Sequence, residues 1–170
     1  MAHDKVRKLP YDRIYKNFID PKYIPKGENE YYLRNRQTTV PEGGWRHLRA
    51  DEIERLVINK NVATNWDDIW VTDSFDISMI KRNSFFGMVR IGRVQREILE
   101  YHDLRVPVGI TDSSIVSCDI GDDVAIHNVN YLANYIVRDK CILFNVNEIS
   151  TTDHSKFGNG ILKDGEDEEV

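Results

Sequence analysis

Two histidines are the side chains of this sequence best suited to acid–base chemistry, and one of them lies in a polar loop. His154 falls within Thr151–Gly160, a stretch dense in side-chain donors and acceptors that contains two flexible glycines. Beside Asp153, His154 could act as a general base or help to hold a metal ion. Lys156 and the backbone amides near Gly158 could hold a phosphate.

An ordinary polar Ω-loop is the alternative interpretation of residues 151–160. The glycine–lysine spacing of a Walker-type phosphate loop is absent, and so is the serine elbow of a hydrolase. Neither paired cysteines nor a His-x-His spacing is present, so we predict no metal site. If the loop is functional, we expect His154 to be catalytic and Lys156 and Asn159 to bind substrate.

The second histidine, His127, lies inside an internal repeat. Residues 126–132 line up with residues 143–149, seventeen positions later. This alignment places Asn128 over Asn145, and the two stacked amides could orient an imidazole or bond a sugar hydroxyl. The alternative is an asparagine ladder in turns, with His127 exposed to solvent.

The stretch Gly109–Ile149 is the part of the chain that must position His127. Ile120, Ile126 and Leu132 recur every six residues. An amphipathic helix would require a spacing of three and four, and a half-buried strand would require strict alternation. Six residues suit three short strands per coil, each placing one aliphatic side chain inside a triangular prism. The pattern therefore predicts that His127, next to Ile126, faces outward.

The aliphatic frame over residues 86–161 resembles that of hexapeptide-repeat proteins of the left-handed β-helix superfamily, which includes trimeric acyltransferases and the C-terminal parts of sugar-phosphate nucleotidylyltransferases. Four further stretches are Trp66–Asp73, Phe86–Gly92, Ser117–Asn128 and Lys156–Leu162. Through them the whole chain resembles, more closely, an uncharacterised family of large bacterial β-helix proteins whose members are several times longer.

The resemblance implies a mainly β fold, a left-handed parallel β-helix, of which this chain is an N-terminal portion. It also implies acyl or nucleotidyl transfer to a sugar, sugar phosphate or sugar nucleotide. His127 would be the general base, Asn128 and Asn145 would bind substrate, an acyl-CoA or a nucleotide would be the co-substrate, and the protein would form a homotrimer. A second function stays open: a noncatalytic β-helix scaffold for oligomerisation or ligand binding within a larger protein.

The remaining chain divides into a lead-in, a cap, the coils and a tail. Residues 1–48 are polar and interrupted by prolines, with Tyr31–Gln37 as their most strand-like piece. Residues 49–76 are expected to cap the coils with one helix, over residues 50–60, and a tryptophan-rich plug. The coils are predicted over residues 77–163, with a short helical excursion at 93–105, and residues 164–170 are an acidic tail or truncation point.

Composition limits the partners and the location. The net charge of −5 argues against a general nucleic-acid binder, which would carry a basic face. No run approaches the ~18 apolar residues of a membrane span, and the N-terminus lacks the apolar core of a secretion signal. We therefore expect a cytoplasmic protein that binds no nucleic acid and no membrane, with Cys118 and Cys141 reduced.

Overall fold

The computed structural model describes residues 5–38 and 40–152. This part of the chain is mainly β, as the sequence predicts, with two α-helices, α1 (Tyr32–Gln37) and α2 (Ala50–Ile58). The strands are β1 (Arg46–His47), β2 (Val62–Ala63), β3 (Ile69–Val71), β4 (Ile80–Lys81), β5 (Ser84–Phe86), β6 (Val89–Ile91), β7 (Ile98–Tyr101), β8 (Leu104–Pro107), β9 (Gly109–Thr111), β10 (Ser114–Val116), β11 (Asp119–Ile120), β12 (Ala125–Val129), β13 (Leu132–Ala133), β14 (Ile136–Val137), β15 (Ile142–Val146) and β16 (Ile149–Ser150).

Three sheets contain all the strands except the β7–β8 pair. Sheet A has the order β1–β3–β6–β11–β14, sheet B the order β2–β5–β10–β13–β16, and sheet C the order β4–β9–β12–β15. All their pairings are parallel, except that β1 runs antiparallel to β3. Within these three sheets, consecutive strands do not pair with one another. From β2 to β6 and again from β9 to β16, the chain visits sheets B, A and C in a fixed rotation.

The core is shared by the three sheets, because each contributes a column of aliphatic side chains in register. Ile126 of sheet C pairs with Ile110 and Leu143, and Leu132 of sheet B pairs with Ile115. Members of all three columns belong to one buried cluster. Full burial of an aliphatic side chain contributes about 1.5–3 kcal/mol, so the columns are the main source of stability. The six-residue spacing therefore locates core positions.

Tight corners between the strands use residues with positive φ. At the corner after sheet C, Arg82, Asp112, Asn128 and Asn145 have φ between 52° and 56°. This left-handed conformation costs most residues about 1–2 kcal/mol, and among residues other than glycine, asparagine and aspartate tolerate it best. The corner turns the chain within one or two residues, which is why strands of two to five residues can follow one another into different sheets.

A buried polar ladder lines the inside of that corner. Asn83 donates through Nδ2 to Asn61 Oδ1 at 2.9 Å and to the Ile110 carbonyl at 2.7 Å. The Ser113 amide donates to Asn83 Oδ1, and the Val129 amide donates to Ser113 Oγ. Backbone groups freed by the turns are thereby satisfied inside the protein, where an unpaired group would be costly.

The excursion between β6 and β9 is an antiparallel hairpin, so the prediction of a helix over residues 93–105 is wrong. β7 and β8 pair from Ile98 with Pro107 to Tyr101 with Leu104. The apolar residues alternate in their exposure, since Leu99 packs against the core while its neighbour Ile98 is exposed. That period of two belongs to a strand.

In the amino-terminal part of the structure, helix α2 covers one end of the sheets and helix α1 packs against the side of sheet A. Helix α2 buries Leu56 against the core, and Glu52 accepts a hydrogen bond from the Arg49 backbone amide at 2.8 Å. The third residue of the helix thus satisfies the backbone amide at its N-cap. Residues 32–37 form helix α1 rather than a strand, and Arg34 reaches the buried Asp119 from this helix. Among the described helices, none is long and apolar enough to cross a membrane.

Candidate functional site

His127 lies at the centre of β12, on the outer face of sheet C. It is in register with Thr111 of β9 and with Phe144 of β15. Phe144 is about half exposed, whereas His127 is only 7% exposed. The position of His127 on a sheet face is therefore the predicted one, but its exposure is not.

The base of the β7–β8 hairpin covers His127. The ring nitrogen Nε2 lies 2.6 Å from the carbonyl oxygen of Pro107, and Nδ1 lies 2.8 Å from Thr111 Oγ1. A carbonyl oxygen can only accept, so Nε2 carries a hydrogen and donates it. In the neutral ring Nδ1 accepts from the Thr111 hydroxyl. The six-residue pattern could not reveal this burial, because the covering carbonyl comes from an insertion outside the pattern.

This hydrogen bonding decides what His127 can do chemically. A general base needs an unprotonated ring nitrogen within about 3 Å of the proton it removes. Both nitrogens of His127 are occupied by protein groups, and the ring is closed off from solvent. The two hydrogen bonds of His127 instead hold the β7–β8 hairpin against sheet C, so the role of His127 in this arrangement is structural.

Asn128 and Asn145 stack at the exposed corner beside His127. Asn128 donates through Nδ2 to Asn145 Oδ1 at 2.9 Å, and one step further along the chain Asn130 donates to Asn147 at 3.4 Å. The stacked amides therefore bond each other rather than the His127 ring. They form the asparagine ladder that the sequence offered as the alternative interpretation.

An ion pair continues the same corner. Arg82 contacts Asp112 through two hydrogen bonds of 2.6 and 2.9 Å. The Arg82 guanidinium lowers the pKa of the Asp112 carboxyl. Both side chains are about half exposed, so solvent screens much of their attraction.

Neither the remaining residues predicted from the sequence nor the surface depressions of the protein add a group to the site around His127. His154, Lys156 and Asn159 lie outside the described residues. An open groove is lined by residues 74–76 and 94–97, and a small cavity lies beside Trp45 and Asp119. Neither is lined by His127, Asn128 or Asn145. In the described part of the chain, no group of three or more His, Cys, Asp or Glu side chains could hold a metal ion.

A buried charge cluster is the polar centre that sequence reasoning missed. Asp119 accepts hydrogen bonds from Arg34 at 2.6 and 2.9 Å and from Arg90 at 2.5 and 2.8 Å. Arg34 also donates to the carbonyls of Met88 and Cys118. Arg34 and Asp119 are 85 residues apart in sequence. No local spacing could signal this contact.

The fold and site together define a mainly β protein with three mostly parallel sheets around one core. Its central histidine, His127, is hydrogen-bonded to protein groups through both ring nitrogens. Residues 45–168 match a family model described as "Domain of unknown function (DUF4954)", and the chain belongs to that family. It is also 46% identical over 154 residues to an uncharacterized protein of Treponema pallidum (strain Nichols). That alignment covers 91% of this chain and 21% of the relative, so the chain spans about a fifth of the relative's length. No solved structure matches.

The family match corrects the resemblance drawn from the sequence. The family that matches is DUF4954, so the assignment to the hexapeptide-repeat, acyltransferase-like superfamily is wrong. The spacing of the strands explains the error. Ala63 pairs with Phe85, Phe85 with Ile115, and Ile115 with Leu132, so neighbours in sheet B are 22, 30 and 17 residues apart. A short regular run of aliphatics reports local strand spacing and does not establish family membership.

Proposed function

We propose that this chain is a noncatalytic scaffold module, a left-handed parallel β-helix within a larger protein. The observation that supports the proposal is the double hydrogen bonding of His127 to the Pro107 carbonyl and the Thr111 hydroxyl. Of the two histidines predicted to be catalytic, His127 is the one that lies in the described residues. The alternative, a transferase that uses His127 as its base, would first have to break both contacts.

The rotation of the chain through sheets B, A and C supports the β-helix. The parallel pairing of each strand with the strand one turn away is the pattern expected when a chain winds around one core. The aliphatic columns and the positive-φ corners recur at the same places in each turn. We propose in addition that the chain winds around this core with a left-handed twist.

Rigid construction supports the scaffold role. Polar side chains that a catalytic site would leave available are used here to join neighbouring layers. Asn83 links three layers, the Asn128–Asn145 pair links two, and Asp119 joins sheet A to helix α1. A module made in this way holds its surfaces in fixed relative positions, as a docking platform requires. The Treponema relative is about five times longer than the region it shares with this chain, and in a protein of that length such a platform would position other parts of the polypeptide.

Thermal unfolding with ligands tests the absence of a transferase site. We expect an unchanged Tm with acetyl-CoA, UDP-glucose and glucose 6-phosphate, each at 1 mM and in pairs. A ligand present at a hundred times its Kd would add about 2.7 kcal/mol of stability, which a melting curve resolves easily. A rise in Tm with any of these compounds that is absent from the His127→Gln variant would overturn the scaffold assignment.

The winding needs a separate test. A crystal or cryo-electron-microscopy structure of the full-length Treponema relative would give the handedness directly. Left-handed winding of this region supports the β-helix proposal, and right-handed winding or three separately packed sheets contradicts it.

A further inference from the structure

The last strand of each sheet has a partner on one side only within the described residues. These strands are β14 (Ile136–Val137), β15 (Ile142–Val146) and β16 (Ile149–Ser150), and they pair with β11, β12 and β13 respectively. We call their other side the open coil edge. A strand edge presents backbone N–H and C=O groups that can pair with another strand.

Apolar side chains accompany the backbone groups at the open coil edge. Leu143, Val146 and Ile149 continue the inward-facing columns and pack against the core, but they are only partly buried. One turn back, Ile126 and Leu132 in the same columns are fully buried. A further layer of aliphatic side chains would bury the last members of each column in the same way.

The opposite end of the sheets is covered. Leu56 of helix α2 lies over the core there. Asn59 and Asn61 both donate to the carbonyl of Ile80 in β4, and the Arg82 amide donates to the Asn59 carbonyl. These contacts occupy the outer side of β4 and so disfavour head-to-tail stacking of identical chains at sheet C.

The amide ladders have a direction. Asn128 donates to Asn145, Asn130 donates to Asn147, and Asn134 donates to the Thr151 carbonyl, each toward the next turn. Within the described chain, no acceptor is hydrogen-bonded to Nδ2 of Asn145 or Asn147. The open coil edge thus offers amide donors to a layer with oxygen acceptors at its corner.

We propose that the open coil edge binds one further three-strand β coil whose strands run parallel to β14, β15 and β16. The coil carries aliphatic side chains over Leu143, Val146 and Ile149, and asparagine or aspartate over Asn145. Its source is another segment of the longer polypeptide in this family. The alignment occupies 21% of the Treponema relative, which leaves ample chain to supply such a coil.

A second copy of this chain fits the edge less well. Two copies related by a two-fold axis would bring like edges together, so that amide donors face amide donors and the strands run antiparallel. Head-to-tail stacking is disfavoured, because helix α2 and the residues that follow it occupy the outer side of β4. The inference rests on the proposed β-helix, since a parallel coil can be added only to sheets that wind around a common core.

Hydrogen–deuterium exchange on two existing proteins tests the inference. The probes are this 170-residue chain and the full-length Treponema relative, with protection factors compared for the regions that correspond to β12 and β15. We expect β12 to be protected in both proteins. We expect β15 to exchange about 100-fold more slowly in the relative than in this chain, because its outer edge is paired there.

Three outcomes would contradict the inference in distinguishable ways. Equal, fast exchange of β15 in both proteins, with β12 protected, overturns the docking coil and leaves the β-helix intact. Protection of β15 in this chain that grows between 1 and 100 µM, together with a dimer mass by light scattering, assigns the edge to a second copy. Fast exchange of β12 in both proteins overturns the β-helix and the docking coil together.

Discussion

Asp119 and Arg90 lie side by side on neighbouring strands and form a bidentate, buried ion pair, with Nε–Oδ1 at 2.8 Å and Nη2–Oδ2 at 2.5 Å. Arg34 of helix α1 adds a second guanidinium to the same carboxylate. One buried aspartate therefore compensates two buried arginines. It also joins the amino-terminal segment to sheet A, so loss of its charge should affect both the stability and the attachment of that segment.

Replacement of this carboxylate should be strongly destabilising. Asp119→Asn keeps the size of the side chain but leaves both guanidinium groups without a counter-charge, and breaking a buried pair costs about 3–5 kcal/mol. Urea unfolding followed by circular dichroism measures the change. The control is Asp73→Asn, because Asp73 is 98% exposed where it pairs with Arg46 and should contribute less than about 1 kcal/mol. Similar losses in the two variants would contradict the prediction.

Glu52 should make the free energy of unfolding depend on pH in the acid range. Hydrogen bonds from Arg46 lower the pKa of the Glu52 carboxyl from its ordinary 4.5. A group whose pKa is depressed by folding stabilises the protein above its unfolded-state pKa, and this contribution is lost as the pH falls through the folded-state pKa. We expect Glu52→Gln to be less stable than wild type at pH 7, by about 1–3 kcal/mol.

Denaturant titrations between pH 7 and pH 3 measure this dependence. The difference between wild type and Glu52→Gln should shrink once the pH falls below about 4.5. Glu54→Gln, on the exposed side of the same helix, is the matched control. A wild-type advantage that stays constant down to pH 3 would mean that the Glu52 charge is not its source.

The two cysteines should differ in reactivity. Burial raises the pKa of the Cys118 thiol to about 11, so only about one part in a thousand is thiolate at pH 8. Cys141 is partly exposed. We expect iodoacetamide to modify Cys141 in the native protein and to reach Cys118 only after unfolding, as mass spectrometry of tryptic peptides would determine. In Cys141→Ser, rapid native labelling of the remaining thiol would refute the buried placement of Cys118.

His127 should stabilise the β7–β8 hairpin. His127→Ala removes the donor to the Pro107 carbonyl and the partner of Thr111, so we expect a loss of about 1–3 kcal/mol and faster amide hydrogen exchange in residues 98–106. His102→Asn, at the exposed turn of the same hairpin, preserves a residue that tolerates positive φ and serves as the control. Unaltered hairpin exchange in His127→Ala would remove the structural role assigned to His127.

The sequence pattern predicted which aliphatic residues form the core, but it did not predict the segments that pack over the outside of the sheets. Ile126 and Leu132 are found by their spacing because each must return to the core after a fixed length of strand and corner. The environment of His127 is set by an inserted hairpin, and that of Asp119 by an arginine 85 residues earlier. Such long-range contacts leave no local period. Helix α1 was mistaken for a strand because tertiary contacts of Arg34 outweighed the β propensity of its tyrosines.

The contact between Gly87 and Tyr15 provides a test of how the amino-terminal segment is attached. Gly87 has a φ of 66°, and a Cβ added there would lie 2.7 Å from Cβ of Tyr15. Gly87→Ala should therefore cost the strain of positive φ, about 1–2 kcal/mol, and in addition displace the tyrosine. Gly27→Ala is the matched control, since Gly27 also has positive φ but no neighbour within 4 Å.

We expect Gly87→Ala to lose more stability in urea than Gly27→Ala does. We also expect trypsin to cleave Gly87→Ala faster at Arg13 and Lys16, which lie beside the displaced tyrosine. Equal stability and equal cleavage in the two variants would show that Tyr15 does not hold the segment at Gly87.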